Sequence, residues 1–311
     1  FVPINIRLAP PEVAYWLNDS EAKILFIDAM FAPMLKALEG SIPHVEQVIY
    51  LGDDAAPEGM HSYEALVAGA EPVPDADCGY EDLAGLFYTG GTTGRSKGVM
   101  LSHRNLVVNS YNTISVLHYE NDARYLHAPP MFHIADCVAV FGQTQIGNSH
   151  YFIPAFTPDG TLDAIQRWQI THTRVVPTMV NMTVNHPSVA DYDLSSLRHL
   201  AYGASPMPEA VIMRAMQVMP DVQFYHAYGQ TECAPLTSVN GPESHVFDGP
   251  MANMYRSCGR SAPGVLVEIR DENDQEVPRG EVGEICVRGA NVMQGYWKLP
   301  ELTAETLRGG W

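Results

Sequence analysis

Leu86-Phe-Tyr-Thr-Gly-Gly-Thr-Thr-Gly-Arg-Ser-Lys-Gly-Val-Met-Leu-Ser-His103 passes from an apolar segment through small and hydroxyl residues to one lysine, then into a stretch that reads as helix. That order builds a backbone loop around an anion. Gly90, Gly91 and Gly94 let the chain turn tightly and bring its N–H groups close to a ligand. Thr89, Thr92 and Thr93 add hydroxyl donors, and Lys97 adds a mobile positive charge. Polyphosphate suits such a loop best. Two common phosphate motifs fail on spacing. A Walker A loop ends Gly-Lys-Ser/Thr, whereas Lys97 follows Ser96 and precedes Gly98. Gly90-Gly-Thr-Thr-Gly94 does not supply the Gly-x-Gly-x-x-Gly of dinucleotide folds. The plain alternative is a glycine-rich surface turn, and the threonines, the lysine and the flanking elements weigh against it.

Working outward, apolar runs alternate with amphipathic stretches. Strands are expected at 23–28, 46–51, 83–88, 125–128, 150–154, 173–176, 197–202 and 222–225. The run Lys23-Ile-Leu-Phe-Ile-Asp28 reads as a strand buried on both faces. Helices are expected at 10–18, 30–38, 63–67, 161–169, 208–219 and from Ser102, as N-cap, to about Leu117. Strand, helix, strand at this spacing predicts an α/β protein, with layered, mainly parallel sheets flanked by helices. The character changes near residue 250. Val265-Leu-Val-Glu-Ile-Arg270 and Gly283-Glu-Ile-Cys-Val-Arg288 alternate apolar and polar around a turn-rich segment, which predicts an antiparallel hairpin. Residues 1–250 are thus expected as an α/β core, and 251–311 as a β-rich subdomain of the same large domain.

The bulk numbers exclude several classes. A chain of 311 residues with 46% apolar content buries a sizeable core. Net charge is −18, from 36 acidic and 18 basic residues, which repels nucleic acid and anionic membrane as a whole-surface effect. No apolar run reaches membrane length. A peripheral membrane contact and a homodimer are left open. Five scattered cysteines without a C-x-x-C read as reduced thiols of a cytoplasmic protein. The twelve histidines show no H-E-x-x-H spacing, so no zinc site is expected.

A second constellation, Tyr225-His-Ala-Tyr-Gly-Gln-Thr-Glu232, follows a strand and so falls at the carboxyl end of a sheet, where open α/β folds bind ligands. Tyr228 offers a flat face for a base, Thr231 a hydroxyl for phosphate and Glu232 a hard oxygen for Mg²⁺. Tyr202-Gly-Ala-Ser-Pro206 is another strand end, small enough for backbone to lie flat on a purine. The pair Phe132-His133 stands apart, and a lone histidine there is more often packed than functional.

Together these motifs resemble the adenylate-forming superfamily of acyl-CoA synthetases, luciferases and peptide-synthetase adenylation domains. The resemblance is collinear along nearly the whole chain. Residues 88–98 resemble the family's phosphate loop, usually Tyr-Thr-Ser-Gly-Thr-Thr-Gly-x-Pro-Lys-Gly, with Gly90 in place of the serine and Ser96 in place of the proline. Gly90 is familiar in bacterial fatty-acid–CoA ligases. Tyr228-Gly-Gln-Thr-Glu232, Gly203-Ala-Ser-Pro-Met207 and Met293-Gln-Gly-Tyr-Trp-Lys298 resemble further family segments.

The resemblance implies that a carboxylate attacks the α-phosphorus of Mg²⁺·ATP, giving acyl-AMP and pyrophosphate, and that the thiol of coenzyme A then displaces AMP. It implies that residues 89–97 hold the β- and γ-phosphates, that Thr231 meets the α-phosphate and that Glu232 holds Mg²⁺. It implies that Tyr228, Gly229, Gly203, Ala204 and Ser205 frame adenine. His133 would stand beside the carboxylate, and His226 and Ala227 would floor the acyl pocket, with Val176, Thr178 and Tyr202 as further pocket positions. A fatty acid is the leading substrate class. An aryl or small acid of coumarate type is the alternative, and a non-catalytic nucleotide-binding relative is the rival of another class. The family's ribose-binding aspartate, hinge and C-terminal catalytic lysine would lie beyond Trp311. The chain therefore reads as a truncated large N-terminal domain with little or no overall ligase activity by itself.

Overall fold

Two prolines open the first helix, α1 (Pro10–Asp19), where a missing N–H costs nothing, and Glu12 accepts a hydrogen bond from the Ala9 amide at 2.9 Å. The structure is a computed structural model and describes residues 1–90 and 94–311. After α1 come β1 (Ile24–Ile27), the single-turn α2 (Leu35–Leu38), β2 (Gln47–Tyr50), β3 (His61–Ser62) and α3 (Tyr63–Gly69). The three strands form a parallel sheet, with Val13, Leu17 and Leu38 packed against Leu25.

Next, β4 (Leu83–Thr89) and β5 (Lys97–Ser102) pair antiparallel, and α4 (His103–Val116) begins at once. Ser102 and Asn105 cap it reciprocally. A longer alternation follows: β6 (Arg124–His127), α5 (Ile134–Gln145), β7 (Ser149–Phe152), α6 (Pro158–Trp168), β8 (His172–Val175), α7 (Pro177–Val184), β9 (His199–Gly203), α8 (Glu209–Val218) and β10 (Gln223–Gly229). Then come β11 (Leu236–Asn240), β12 (Arg260–Ser261), β13 (Val265–Arg270), β14 (Glu284–Gly289), β15 (Gly295–Tyr296) and α9 (Pro300–Thr306).

The main sheet has seven strands in the order β12-β11-β10-β9-β8-β6-β7. The run from β10 to β7 is parallel, and β11 and β12 join antiparallel. Leu126, Leu162, Ile170 and Ile212 are wholly buried around it. Each such side chain contributes about 1.5–3 kcal/mol by leaving water. The parallel registers set the carboxyl ends of β8, β9 and β10 side by side, with Val175 opposite Tyr202 and Gly203 opposite Ala227. That edge is where an open sheet receives a ligand.

The α/β class is as expected, and so is the β13–β14 hairpin. Several local expectations are corrected. The segment after Lys97 is a strand before it is a helix. Val99 and Leu101 are fully buried at alternate positions of β5, which pairs antiparallel with β4. The run Ile24–Ile27 is not buried on both faces: Ile24 and Phe26 are 49% and 53% exposed. The helix expected at 30–38 is a 3-10 turn over Ala32–Met34 plus a single α turn. β10 continues to Gly229 because β11 pairs with its end, so Tyr228 and Gly229 are strand residues rather than loop. After residue 250, β12 joins the main sheet and β15 pairs with β5.

Candidate active site

The β4–β5 hairpin holds the ends of the glycine-rich loop in register, with Thr89 opposite Lys97. Gly90 and Gly94 are exposed, and a Cβ on either would meet open space, so packing does not demand glycine there. Gly91, Thr92 and Thr93 lie outside the described residues. α1 buttresses the hairpin. The Tyr15 hydroxyl donates to the Ser96 carbonyl at 3.0 Å, and Trp16 stacks on Tyr88 at 4.7 Å between centroids. The Tyr88 hydroxyl donates to Asp19 Oδ2 at 2.6 Å, and Trp297 Nε1 donates to the Asp19 carbonyl at 2.8 Å. Burial, then Asp19, raises the Tyr88 pKa far above its ordinary value, so it stays a donor.

Glu232 sits on a 3-10 turn, Thr231–Cys233, just past β10. Its Oε1 accepts the Tyr296 hydroxyl at 2.8 Å, and Lys97 Nζ lies 4.5 Å from the centroid of the same ring. Tyr296 is 5% exposed, and burial, then Glu232, raises its pKa well above the ordinary value. One buried phenol therefore holds the loop's cation against its ring and the turn's carboxylate at its hydroxyl. Among the described residues no hydrogen bond reaches Glu232 Oε2. Buried amides fix the turn. Asn291 Nδ2 donates to the carbonyls of Cys233 at 2.7 Å and Leu236 at 3.0 Å, and Asn109 Oδ1 accepts the Leu236 amide at 2.9 Å. Sequence reading places Tyr296 in a family segment but gives it no role, since its two contacts arise only in the fold.

At the carboxyl ends of β9 and β10 the backbones approach closely. A Cβ on Gly203 would overlap the Ala227 carbonyl oxygen, and one on Gly229 would overlap that of Pro235. Ala204 takes the left-handed conformation, at φ 67°. Gly203, Ala204, Ala227, Tyr228, Gly229 and Val176 line one cavity of about 70 Å³. Ser205, Thr178, Tyr202, His133 and His226 are not among its walls. The His226 ring stacks on Tyr202 at 5.1 Å, and its Nδ1 donates to the Ser257 carbonyl at 3.1 Å. Tyr202 in turn is bonded to His245 at 2.9 Å. His133 stands exposed at the start of α5 with Phe132 against it.

Two charged lining residues have no role from sequence. Asp136 from α5 and Arg174 from β8 are buried in the wall of the same cavity. His127 Nδ1 donates to Asp136 Oδ2 at 2.9 Å, and Arg174 Nη1 donates to the Ala135 carbonyl. At the opposite edge of the sheet the fold gathers Glu120, His172 and His199, which no sequence spacing announces. Arg198 already holds Glu120 at 2.8 Å and Asp122 at 3.1 Å, so the cluster's carboxylate is ion-paired.

A protein-family comparison matches residues 1–297 to the AMP-binding enzyme family. The chain is 37% identical over 313 residues to a feruloyl-CoA synthase of Amycolatopsis, and 34% identical over 318 residues to an indoleacetate–CoA ligase of Aromatoleum aromaticum. All of this chain aligns with each, and it spans 59% of the length of those curated relatives. Among solved structures, the N-terminal domain of FACL13 from Mycobacterium tuberculosis superimposes with a TM-score of 0.87 at 27% identity, covering 100% of this chain and 74% of that one. The hairpin loop, the glutamate turn and the small-residue strand ends thus stand on a shared fold, and the chain belongs to the AMP-binding family of adenylate-forming enzymes.

Proposed function

We propose that this chain is the nucleotide- and acid-binding part of a carboxylate–CoA ligase. ATP activates a carboxylic acid to acyl-AMP with loss of pyrophosphate, and the thiol of coenzyme A then displaces AMP. One observation carries the reading: Lys97 and Glu232 meet on one buried tyrosine, Tyr296, and Glu232 stands on the turn that follows β10, whose end residues Tyr228 and Gly229 line the cavity at the carboxyl edge of the sheet. Adenylation needs negative charge offset on the leaving pyrophosphate and the acid held in line with phosphorus, which is positioning plus electrostatics. Lys97 and the loop supply the positive charge. Thr231 supplies a hydroxyl at the turn. Gly203, Ala204 and Tyr228 frame the base and leave Ala227 and Val176 to the acid. His133, at the head of α5 and outside the cavity walls, is assigned to the acid by the family resemblance alone. Glu232 suits Mg²⁺, because among the described residues its Oε2 takes no hydrogen bond and its position is fixed through Oε1. When bound, the ion would neutralise phosphate charge.

The feruloyl-CoA synthase and the indoleacetate–CoA ligase, by their names, act on aryl acids, which favours an aryl acid here. A fatty acid is the second reading. It is favoured by a separate cavity of about 610 Å³ lined by Phe132, Phe152, Ile153 and Met179. Lys97→Ala in the full-length protein tests the site. The apparent KM for ATP should rise about tenfold or more, the worth of a hydrogen bond to a charged group, with little change for the acid. Unaltered ATP kinetics would remove Lys97 from the site.

A further inference from the structure

We infer that α1 clamps both stems of the glycine-rich loop, with Tyr15 and Asp19 as positioning residues for the phosphates of ATP. Their role rests on the ligase reading above.

The hairpin that carries the loop has little sheet to lean on. β4 is an edge strand of the sheet β15-β5-β4, and β15 is two residues long. A two-stranded ribbon is marginal by itself in water, so the loop's ends depend on packing from outside the sheet. α1 supplies it at both ends. Tyr88 precedes Thr89 on one stem, and Ser96 precedes Lys97 on the other. Trp16, 5% exposed, stacks on the Tyr88 ring within 19° of parallel. Asp19 accepts the Tyr88 hydroxyl and Tyr15 donates to the Ser96 carbonyl, contacts that span 69 and 81 residues of sequence. Tyr15 and Asp19 are four residues apart, so one face of the helix reaches both stems.

The contacts close a circuit around Asp19. Tyr88 lies opposite Gly98 in the hairpin, and the Gly98 carbonyl accepts the Trp297 amide at 2.8 Å. The Trp297 indole N–H returns to the Asp19 carbonyl at 2.8 Å, and Lys298 Nζ donates to the same carbonyl at 2.8 Å. Glycine at 98 admits this approach: a Cβ there would lie 3.2 Å from the Tyr88 ring and 3.3 Å from Trp297 Cβ. Gly98 thus serves the clamp, whereas Gly90 and Gly94 face open space. A binding loop that is already ordered loses less on meeting its ligand than one the ligand must order. A hairpin pinned at Tyr88 and Ser96 holds Thr89 opposite Lys97 before ATP arrives, which is the pre-organisation that electrostatic stabilisation needs. Tyr15 and Asp19 act through the stems and not on the reacting atoms.

The test uses the full-length protein. Tyr15→Phe removes the bond to Ser96, Asp19→Ala removes that to Tyr88, and Asp19→Asn keeps an oxygen that accepts the phenol. Three quantities are measured: the KM for ATP in acid-dependent ATP–pyrophosphate exchange, the rate of thioester formation from supplied acyl-AMP and CoA, and the Kd for Mg²⁺·ATP by calorimetry. Tyr15→Phe and Asp19→Ala should each raise the KM and Kd for ATP about two- to tenfold, the worth of one hydrogen bond. Thioester formation from acyl-AMP, which needs no grip on pyrophosphate, should stay near wild type, and Asp19→Asn should restore most of the ATP affinity. Unchanged ATP constants in both removal variants, or equal losses in the two half-reactions, overturn the clamp. If Asp19→Ala fails to fold, Tyr15→Phe, which deletes a single hydroxyl, decides alone. Wild-type protein that binds ATP but exchanges no pyrophosphate with any acid defeats the ligase reading instead, and the calorimetric Kd values then decide the clamp by themselves. Wild-type protein that binds no ATP overturns both.

Discussion

Tyr296 is the residue on which the proposed chemistry converges. Its hydroxyl fixes one oxygen of Glu232 and its ring lies under Lys97, so it sets the spacing between a carboxylate and the loop's cation. Tyr296→Phe keeps the ring and removes the hydrogen bond. A bond to a charged acceptor is worth about 1.5–3 kcal/mol. The full-length variant should therefore need several-fold more Mg²⁺ for half-maximal rate and melt several degrees below wild type. A Mg²⁺ titration identical to wild type would show that the hydroxyl does not position Glu232. At this scale the sequence discloses chemistry that is local. Lys97 and Glu232 stand out because a lone lysine after glycines and a glutamate at a strand end are unusual neighbours. Tyr296, Asp136 and Arg174 do not stand out. A tyrosine before a tryptophan, or an arginine inside an apolar strand, acquires meaning only from what the fold sets beside it.

Among elements, the antiparallel β4–β5 hairpin carries the loop, and the short turn after β10 carries Glu232. The two are joined through buried amides and through β15, which pairs with β5. Asn291 is wholly buried and bridges two carbonyls of the turn. Asn291→Ala leaves both without that donor, at a cost of about 1–3 kcal/mol. Chemical denaturation of the folded chain should register that loss together with a raised KM for ATP, whereas wild-type stability would show that the turn holds without it. Most strands and helices of the parallel sheet are legible in the sequence, because alternating apolar runs and N-caps such as Ser102 are local signals. The order Lys97–Ser102 as strand is not, since Gly-Val-Met-Leu suits strand and helix alike until β4 and β15 supply partners. The span of α5 also escapes, for it begins without a capping side chain.

The whole molecule carries net charge −18, yet its interior holds a set of neutral histidines. His172, His199, His226 and His245 are each 9% exposed or less, and burial lowers the pKa of all four, that of His172 to about 3. Each ring binds its proton more tightly when unfolded. Stability is therefore full above about pH 6.5, the ordinary histidine value, and falls with pH down toward the folded value, by up to about 1.4 kcal/mol per unit and ring. Urea unfolding at about pH 5 should give a free energy lower than at pH 7.5 by about 2 kcal/mol from His172 alone. A flat profile over that interval would mean that the rings protonate without unfolding.

The central claim, adenylation of a carboxylate at the site shared by the loop, the glutamate turn and the strand ends, is tested most directly by the products of ATP cleavage in the full-length protein. Adenylation at this site predicts acid-dependent release of AMP and pyrophosphate, one of each for every thioester formed. ADP and phosphate as products, or ATP cleavage that ignores the acid, would contradict it.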